Sequence, residues 1–278
     1  MSFSPAWLAL REPADHAARS AGLLSQVATR FGDRDAISVV DLGCGAGSNL
    51  RGTFAALPDR QAWRLVDYDP NLLAAARERL ASWADGATQD GDRLAIVKNG
   101  KAITVTFHQA DLNRDLDAAL PPDADLVTAA ALFDLVSPAW INSFAGVLSR
   151  RRLPLYTVLT YDGTERWQPP HPLDGAMLAA FHAHQATDKG FGPAAGPRAT
   201  DLMASAFAAA GYDVRRAPSP WRLGTDFAAL ARELVTGFAA AVRETGRVPA
   251  DGIDAWLAAR LSGVTCEVGH EDLLALPR

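Results

Sequence analysis

The stretch Ile37-Ser38-Val39-Val40-Asp41-Leu42-Gly43-Cys44-Gly45-Ala46-Gly47 constrains this chain more than any other. An apolar run that ends in an acid and then a glycine turn reads as a parallel strand covered on both faces. Glycines at alternate positions let the backbone approach a ligand that a Cβ would exclude. Ser48, Asn49, Leu50 and Arg51 then start a helix, which puts the ligand at a strand's carboxyl end, against a helix N-terminus. A dinucleotide fingerprint requires Gly-x-Gly-x-x-Gly. Here Ser48 stands in place of the third glycine, and the pattern is Asp41-x-Gly43-x-Gly45-x-Gly47.

Two further strands end in acids. Trp63-Arg64-Leu65-Val66-Asp67 follows the glycine loop at about the 20-residue spacing expected of an acid that holds ribose hydroxyls. Tyr68 comes next, and Asp69-Pro70 opens a helix with Asp69 as its N-cap. The strand from Ile103 to Phe107 leads into His108-Gln109-Ala110-Asp111-Leu112.

Three acids at three successive strand ends resemble the opening motifs of class I S-adenosylmethionine (SAM)-dependent methyltransferases of the bacterial small-molecule type. The resemblance covers about residues 30 to 160. It implies that Gly43, Gly45 and Gly47 accommodate the methionine end of SAM while Asp41 steadies its amino group. Asp67 would take the ribose and Tyr68 would stack on the adenine. Asp111 would accept from the adenine amino group, and the Leu112 N–H would meet a ring nitrogen. The stretches Trp7-Leu8-Ala9-Leu10-Arg11-Glu12-Pro13-Ala14-Asp15 and Val268-Gly269-His270-Glu271-Asp272-Leu273-Leu274 are similar to one bacterial group within that family. The resemblance attaches no acceptor to that group.

The expected fold is α/β, a doubly wound seven-stranded sheet in one 278-residue domain. Residues 1–31 form an N-terminal helical lid, 32–162 the SAM-binding core, and 163–278 cap helices and the last strands. The second lid helix is read from Glu12-Pro13-Ala14-Asp15 to Arg30. Residues 84–92 read as a polar loop, and Asn99-Gly100 as the type I′ turn of a hairpin. Asp162-Gly163 reads as a turn after the fifth core strand, and 272–276 as an antiparallel closing strand.

Composition narrows the partners. Net charge is −5, and the only basic cluster is Arg150-Arg151-Arg152, which suits a helix end. Nucleic-acid binding needs a broader basic footprint, so no nucleic-acid partner is expected. Cys44 and Cys266 are the only cysteines and no Cys/His cluster has zinc spacing, which gives no metal and a reduced, cytoplasmic protein. Met1-Ser2-Phe3-Ser4-Pro5 lacks a leader's pattern, and no apolar run would span a membrane. The expected partners are a small-molecule acceptor and, at most, a second copy of the chain: a monomer or homodimer.

Methyl transfer is an in-line displacement that needs positioning, and a base only where the acceptor must lose a proton. Arg11 or Arg19 is the candidate clamp for the SAM carboxylate, with Arg19 preferred. Phe133 would face the sulfonium, and Asp134 would orient an amine or accept a proton. Tyr161 would line the pocket. His184 is the candidate base, from the polar stretch His182 to Pro193, whose glycines suit a closing loop. Trp167, Trp221 and Trp256 read as core residues before pocket residues. Three other readings stand beside methyl transfer: a SAM reaction that releases methylthioadenosine, a non-catalytic SAM-binding protein, and an NAD-linked oxidoreductase.

Overall fold

Two helices, α1 (Pro5–Ala18) and α2 (Ala21–Phe31), precede the sheet, each started by a serine side chain that accepts a backbone N–H. The structure, a computed structural model, describes residues 3–278; Met1 and Ser2, part of the stretch read above for a leader, lie outside the described residues. Pro13 lies inside α1, so the expected second helix from Glu12-Pro13 to Arg30 is not one helix: the first helix runs on through Pro13 to Ala18, and the second starts after Ser20. Side-chain bonds explain why the helix runs through a proline that removes one of its backbone bonds. Arg11 grips Asp15 one turn on, and Glu12 takes a two-toothed grip from Arg51.

The chain then alternates. β1 (Ala36–Leu42), α3 (Ser48–Thr53), β2 (Arg60–Asp67) and α4 (Pro70–Trp83) form the first half. β3 (Gly86–Asp90), β4 (Arg93–Lys98) and β5 (Lys101–Gln109) follow, then the short α5 (Leu116–Ala119), β6 (Leu126–Ala130), α6 (Pro138–Arg151) and β7 (Leu155–Gln168). The last part holds α7 (Asp174–Gln185), α8 (Ala199–Ala209), β8 (Tyr212–Pro218), β9 (Trp221–Leu223), α9 (Ala228–Thr245), α10 (Ala250–Leu261) and β10 (Thr265–Pro277).

Five strands pair in parallel in the order β5-β2-β1-β6-β7. β10 inserts antiparallel between β7 and β8. These seven strands are the expected doubly wound sheet, with the closing strand antiparallel as read. Three further strands extend it: β3 and β4 beyond β5, and β9 on β10. Residues 86–90, read as part of a polar loop, are an edge strand exposed on both faces, so no apolar alternation marks it. Asn99 and Gly100 do make the hairpin turn, both at positive φ.

Asp162-Gly163 is not a turn. β7 runs on to Gln168 because β10 pairs along its whole length, and the irregularity there is a bulge. Gly269 on β10 makes room for it, since a Cβ there would lie 2.1 Å from Asp162 Oδ1. A second bulge sets Leu159 at φ +60°, where Asp272 Oδ1 takes its N–H at 2.9 Å. The other Asp272 oxygen takes the N–H of Ser20 at 2.8 Å. This buried carboxylate therefore ties the start of α2 to the middle of the sheet.

Two apolar layers cover the sheet, one including Phe31, Trp63, Tyr156 and Trp256, the other Phe133, Trp140, Phe144 and Phe207.

Candidate active site

The carboxyl ends of β1, β2, β5 and β6 open onto one cleft of about 460 Å³, within the range of small-molecule sites. Gly43, Gly45 and Gly47 all have positive φ, at +62°, +52° and +75°. Side chains rarely adopt that conformation, so the turn needs glycine for its backbone as well as for close approach. Gly47 caps α3 but, against expectation, does not line the cleft: a Cβ on it would meet Leu80 and Ala76 of α4, so it shapes the turn and lets α4 pack close. Leu8 of α1 and Leu132 after β6 stand against the turn from either side.

Asp67 joins β2 to this turn. One of its oxygens accepts the Gly45 N–H at 2.8 Å, and the other accepts the Asp69 N–H at 3.0 Å. A carboxylate has about four acceptor positions, so both oxygens keep capacity for a ligand in the cleft. Burial pushes the Asp67 carboxyl above its usual range, against the pull of those two N–H groups. Tyr68 is 72% exposed at the cleft mouth, a free ring face. Asp69 caps α4 through the Asn71 N–H, the role its position suggests.

Asp111 and Leu112 line the opposite end with Ala110. Asp111 Oδ1 accepts the Asn113 N–H at 3.0 Å, and Oδ2 is 3.6 Å from Arg114. Leu112 is buried, and its carbonyl accepts from Trp140 Nε1.

Asp41 lies below the cleft wall rather than in it, which corrects its expected direct contact with the ligand. It is fully buried, and Oδ1 accepts from Asn49 Nδ2 at 2.6 Å. Asn49 lines the cleft and also takes Arg19 Nη1 at 2.8 Å. The order is therefore Asp41, Asn49, Arg19, each orienting the next. Asp41 Oδ2 and Arg19 Nε have no partner among the described residues. Burial pushes the Asp41 carboxyl up to about 7, against the pull of Asn49 and Arg19.

The choice between the two arginines follows from their partners. Arg11 is taken up by Asp15 through Nε and Nη2, and lies 4.9 Å over the Trp221 ring. Arg19 is seated by Asn49 and Thr53 and lines the cleft. Its seat depends on Gly52, a residue the sequence reading missed: a Cβ there would lie 2.7 Å from the Arg19 guanidinium carbon. No local sequence signal marks Gly52, because its partner lies in the joint between α1 and α2, 33 positions earlier in the chain.

The remaining candidates do not line the cleft. Phe133 is fully buried against Phe144 and Trp140, so its side chain faces the core and not a sulfonium. His184 lies in an outer groove between α7 and α9, its Nε2 3.0 Å from Glu244, on a different side of α7 from Gln185. Asp134 is buried behind the cleft-lining Leu132 and Leu135, and accepts from Gln185 Nε2 at 3.3 Å. Tyr161 is buried near it, with its hydroxyl 3.1 Å from His182 and 3.3 Å from Glu165. Ala131, in the cleft wall just before these residues, holds a left-handed φ of +51°, the kind of strain that clusters at functional sites. Trp167, Trp221 and Trp256 are all buried packing residues. Among the described residues no group of His, Cys, Asp and Glu could hold a metal ion, and no helix is long and apolar enough to cross a membrane.

No family model and no curated protein matches the chain. Several solved structures resemble its fold. The YcgJ protein of Bacillus subtilis is 13% identical, with a TM-score of 0.48 over 93% of this chain and 100% of that one. The cyclopropane synthase MmaA2 of Mycobacterium tuberculosis is 11% identical, with a TM-score of 0.47 over 91% and 83%. A putative methyltransferase of Bacillus halodurans is 13% identical, with a TM-score of 0.47 over 92% and 97%. Likenesses this distant carry nothing about the activity of this chain.

Proposed function

We propose that this protein is a class I SAM-dependent methyltransferase acting on a small molecule. The observation that carries the reading is the Asp67–Gly45 junction. It puts a carboxylate with spare acceptor capacity beside a left-handed glycine turn, in one cleft with Asp111. SAM fits the residues present. The glycine turn admits its methionine end, and Arg19, with an unpartnered Nε, offers N–H groups to its carboxylate. Asp67 takes the ribose hydroxyls, and Tyr68 and Asp111 the adenine. SAM supplies an activated methyl on a sulfonium, and the protein supplies orientation and a dry site.

The helices α1 and α2 contribute Leu8, Arg11, Asp15 and Arg19 to the cleft, which supports a lid role for residues 1–31. Two free, buried cysteines fit a reducing compartment such as the cytoplasm. The test is calorimetric titration with SAM, S-adenosylhomocysteine and NAD. Micromolar binding of the first two with none of NAD supports the reading; binding of NAD alone, or of nothing, overturns it.

A further inference from the structure

The two outlying stretches singled out in the sequence, Trp7 to Asp15 and Val268 to Leu274, meet at Trp221. Trp221 is buried, pairs with Val268 on β10, and donates its Nε1–H to Asp15 Oδ1 at 2.9 Å. Asp15, also buried, accepts from Arg11 Nε at 2.9 Å and from Arg11 Nη2 at 3.1 Å. The Arg11 guanidinium lies over the Trp221 ring, 4.9 Å from its centre. A buried carboxylate and a buried ring therefore set the pose of an arginine that lines the cleft. Asp15 occupies the Nε–Nη2 edge alone, and no acceptor among the described residues takes Nη1. The Nη1–Nη2 end of the fork is left for a ligand.

The other charges in the cleft have partners or roles. Asp69 caps α4, and the cofactor reading above uses Asp67, Asp111 and Arg19. Lys189 lines the same cleft, and its Nζ meets the Thr187 hydroxyl at 2.9 Å and no carboxylate among the described residues. The wall also includes Leu8, Leu132, Leu135 and Phe191. Among the described residues no histidine lines it, and burial pushes the Cys44 thiol well up. Both oxygens of Asp15 are engaged. Beyond the cofactor's share, the cleft offers two cationic donors and apolar surface, and no group free to take a proton.

We propose that the acceptor is a small carboxylic acid with an apolar body, bound by Arg11 and Lys189 and methylated on its carboxylate oxygen; this rests on the SAM reading above. A carboxylate carries acceptors only, which matches donors that lack them, whereas an ammonium would set donor against donor. It is already ionised at neutral pH, so its oxygen attacks without a base; an ammonium or a hydroxyl would first have to lose a proton. The pose fixed by Asp15 and Trp221 lowers the ordering cost of binding. In the step, a lone pair of one carboxylate oxygen bonds to the methyl carbon as the carbon–sulfur bond breaks, and that bond's electron pair stays on sulfur. No proton moves. The anion and the sulfonium become a neutral methyl ester and a neutral thioether, and the ester no longer carries the charge that Arg11 held.

The test is calorimetric titration of the intact chain in the presence of S-adenosylhomocysteine. The probes are butanoate, hexanoate and 3-phenylpropanoate, beside the alcohols and amines of matching size. At least one carboxylate should bind about tenfold or more tighter than its matched alcohol and amine, as a single charge-assisted hydrogen bond predicts. With SAM, that acid should gain one methyl by mass, and alkali should remove it, as for an ester. Arg11→Gln should weaken the acid about tenfold or more and hold S-adenosylhomocysteine within about twofold. Lys189→Ala, in a loop and away from the Asp15 pair, should weaken the acid by a smaller factor and melt with the parent. That variant and the parent's own preference decide the matter even where Arg11→Gln does not fold. Equal or tighter binding of alcohols or amines, no methyl gained, or a methyl stable to alkali overturns the proposal. So does loss of S-adenosylhomocysteine in an Arg11→Gln that melts with the parent, since Arg11 would then hold the cofactor. Failure of the parent to bind S-adenosylhomocysteine sinks the SAM reading as well; binding it without a carboxylate preference sinks this proposal alone.

Discussion

The Asp67 carboxylate and the Gly45 backbone N–H meet at 2.8 Å, so the acid that ends β2 braces the glycine turn that ends β1. Removing the acid should therefore act twice. Asp67→Ala removes the acceptor proposed for the ribose hydroxyls and leaves the Gly45 and Asp69 N–H groups without theirs. Charge-assisted hydrogen bonds contribute about 1.5–3 kcal/mol each, so SAM affinity should fall roughly a hundredfold, read by calorimetry. An unchanged dissociation constant would place the cofactor elsewhere.

Gly52→Ala sets two effects against each other. Alanine favours a helix over glycine by about 1 kcal/mol, but here its Cβ collides with the Arg19 guanidinium. The arginine must leave Asn49 and Thr53. The expected outcome is a melting temperature near the parent's with SAM affinity down about tenfold. Full affinity in this variant would show that Arg19 does not hold the ligand.

Stability should fall as pH rises from about 6.5 to 8.5. The folded-state values of Asp41 and Glu165 are raised by burial to about 7 and about 8, so the native state holds protons the unfolded chain has released. Stability from such groups is complete below the unfolded carboxyl value and is lost through the folded one. His270, lowered by burial to about 3, gives the opposite slope, but only up to its unfolded value near 6.5. Above that the acids prevail, on the order of 1–2 kcal/mol. Urea unfolding at several pH values checks this, and Glu165→Gln should flatten the slope.

His184→Ala should leave SAM affinity within about twofold and cost at most ~1 kcal/mol, the usual worth of an exposed side-chain hydrogen bond such as the one with Glu244. A large loss of SAM binding would mean that α7 closes over the cleft in the bound state.

The parts of the site that were legible in the sequence are local. A glycine turn, a strand-end acid and a helix cap are fixed by residues within a few positions of one another, so Gly43, Asp67 and Asp69 could be set at turn, strand end and cap from local pattern, while Asp111 came from the family resemblance. What escaped is set by distant partners. Asp162-Gly163 has turn composition, yet β10 makes it a bulge, with Gly269 supplying the space. His184 and Gln185 are adjacent in sequence and look equally polar. Only the packing of α7 sends one to Glu244 and the other to Asp134. Asp41 sits correctly at its strand end, but its neighbour Asn49 intervenes between it and the cleft.

The brace supplied by Asp272 has a consequence for assembly. The helices α1 and α2 come first in the chain, yet the N–H of Ser20, beside Arg19, is anchored by a residue 252 positions later. β10 also closes the gap between β7 and β8. During synthesis every cleft-wall residue emerges before the strand that steadies the start of α2. A chain stopped short of Thr265 would hold every residue that lines the cleft and still lack a settled Arg19. Such long-range closure is slow in folding, so competence to bind should appear late and all at once.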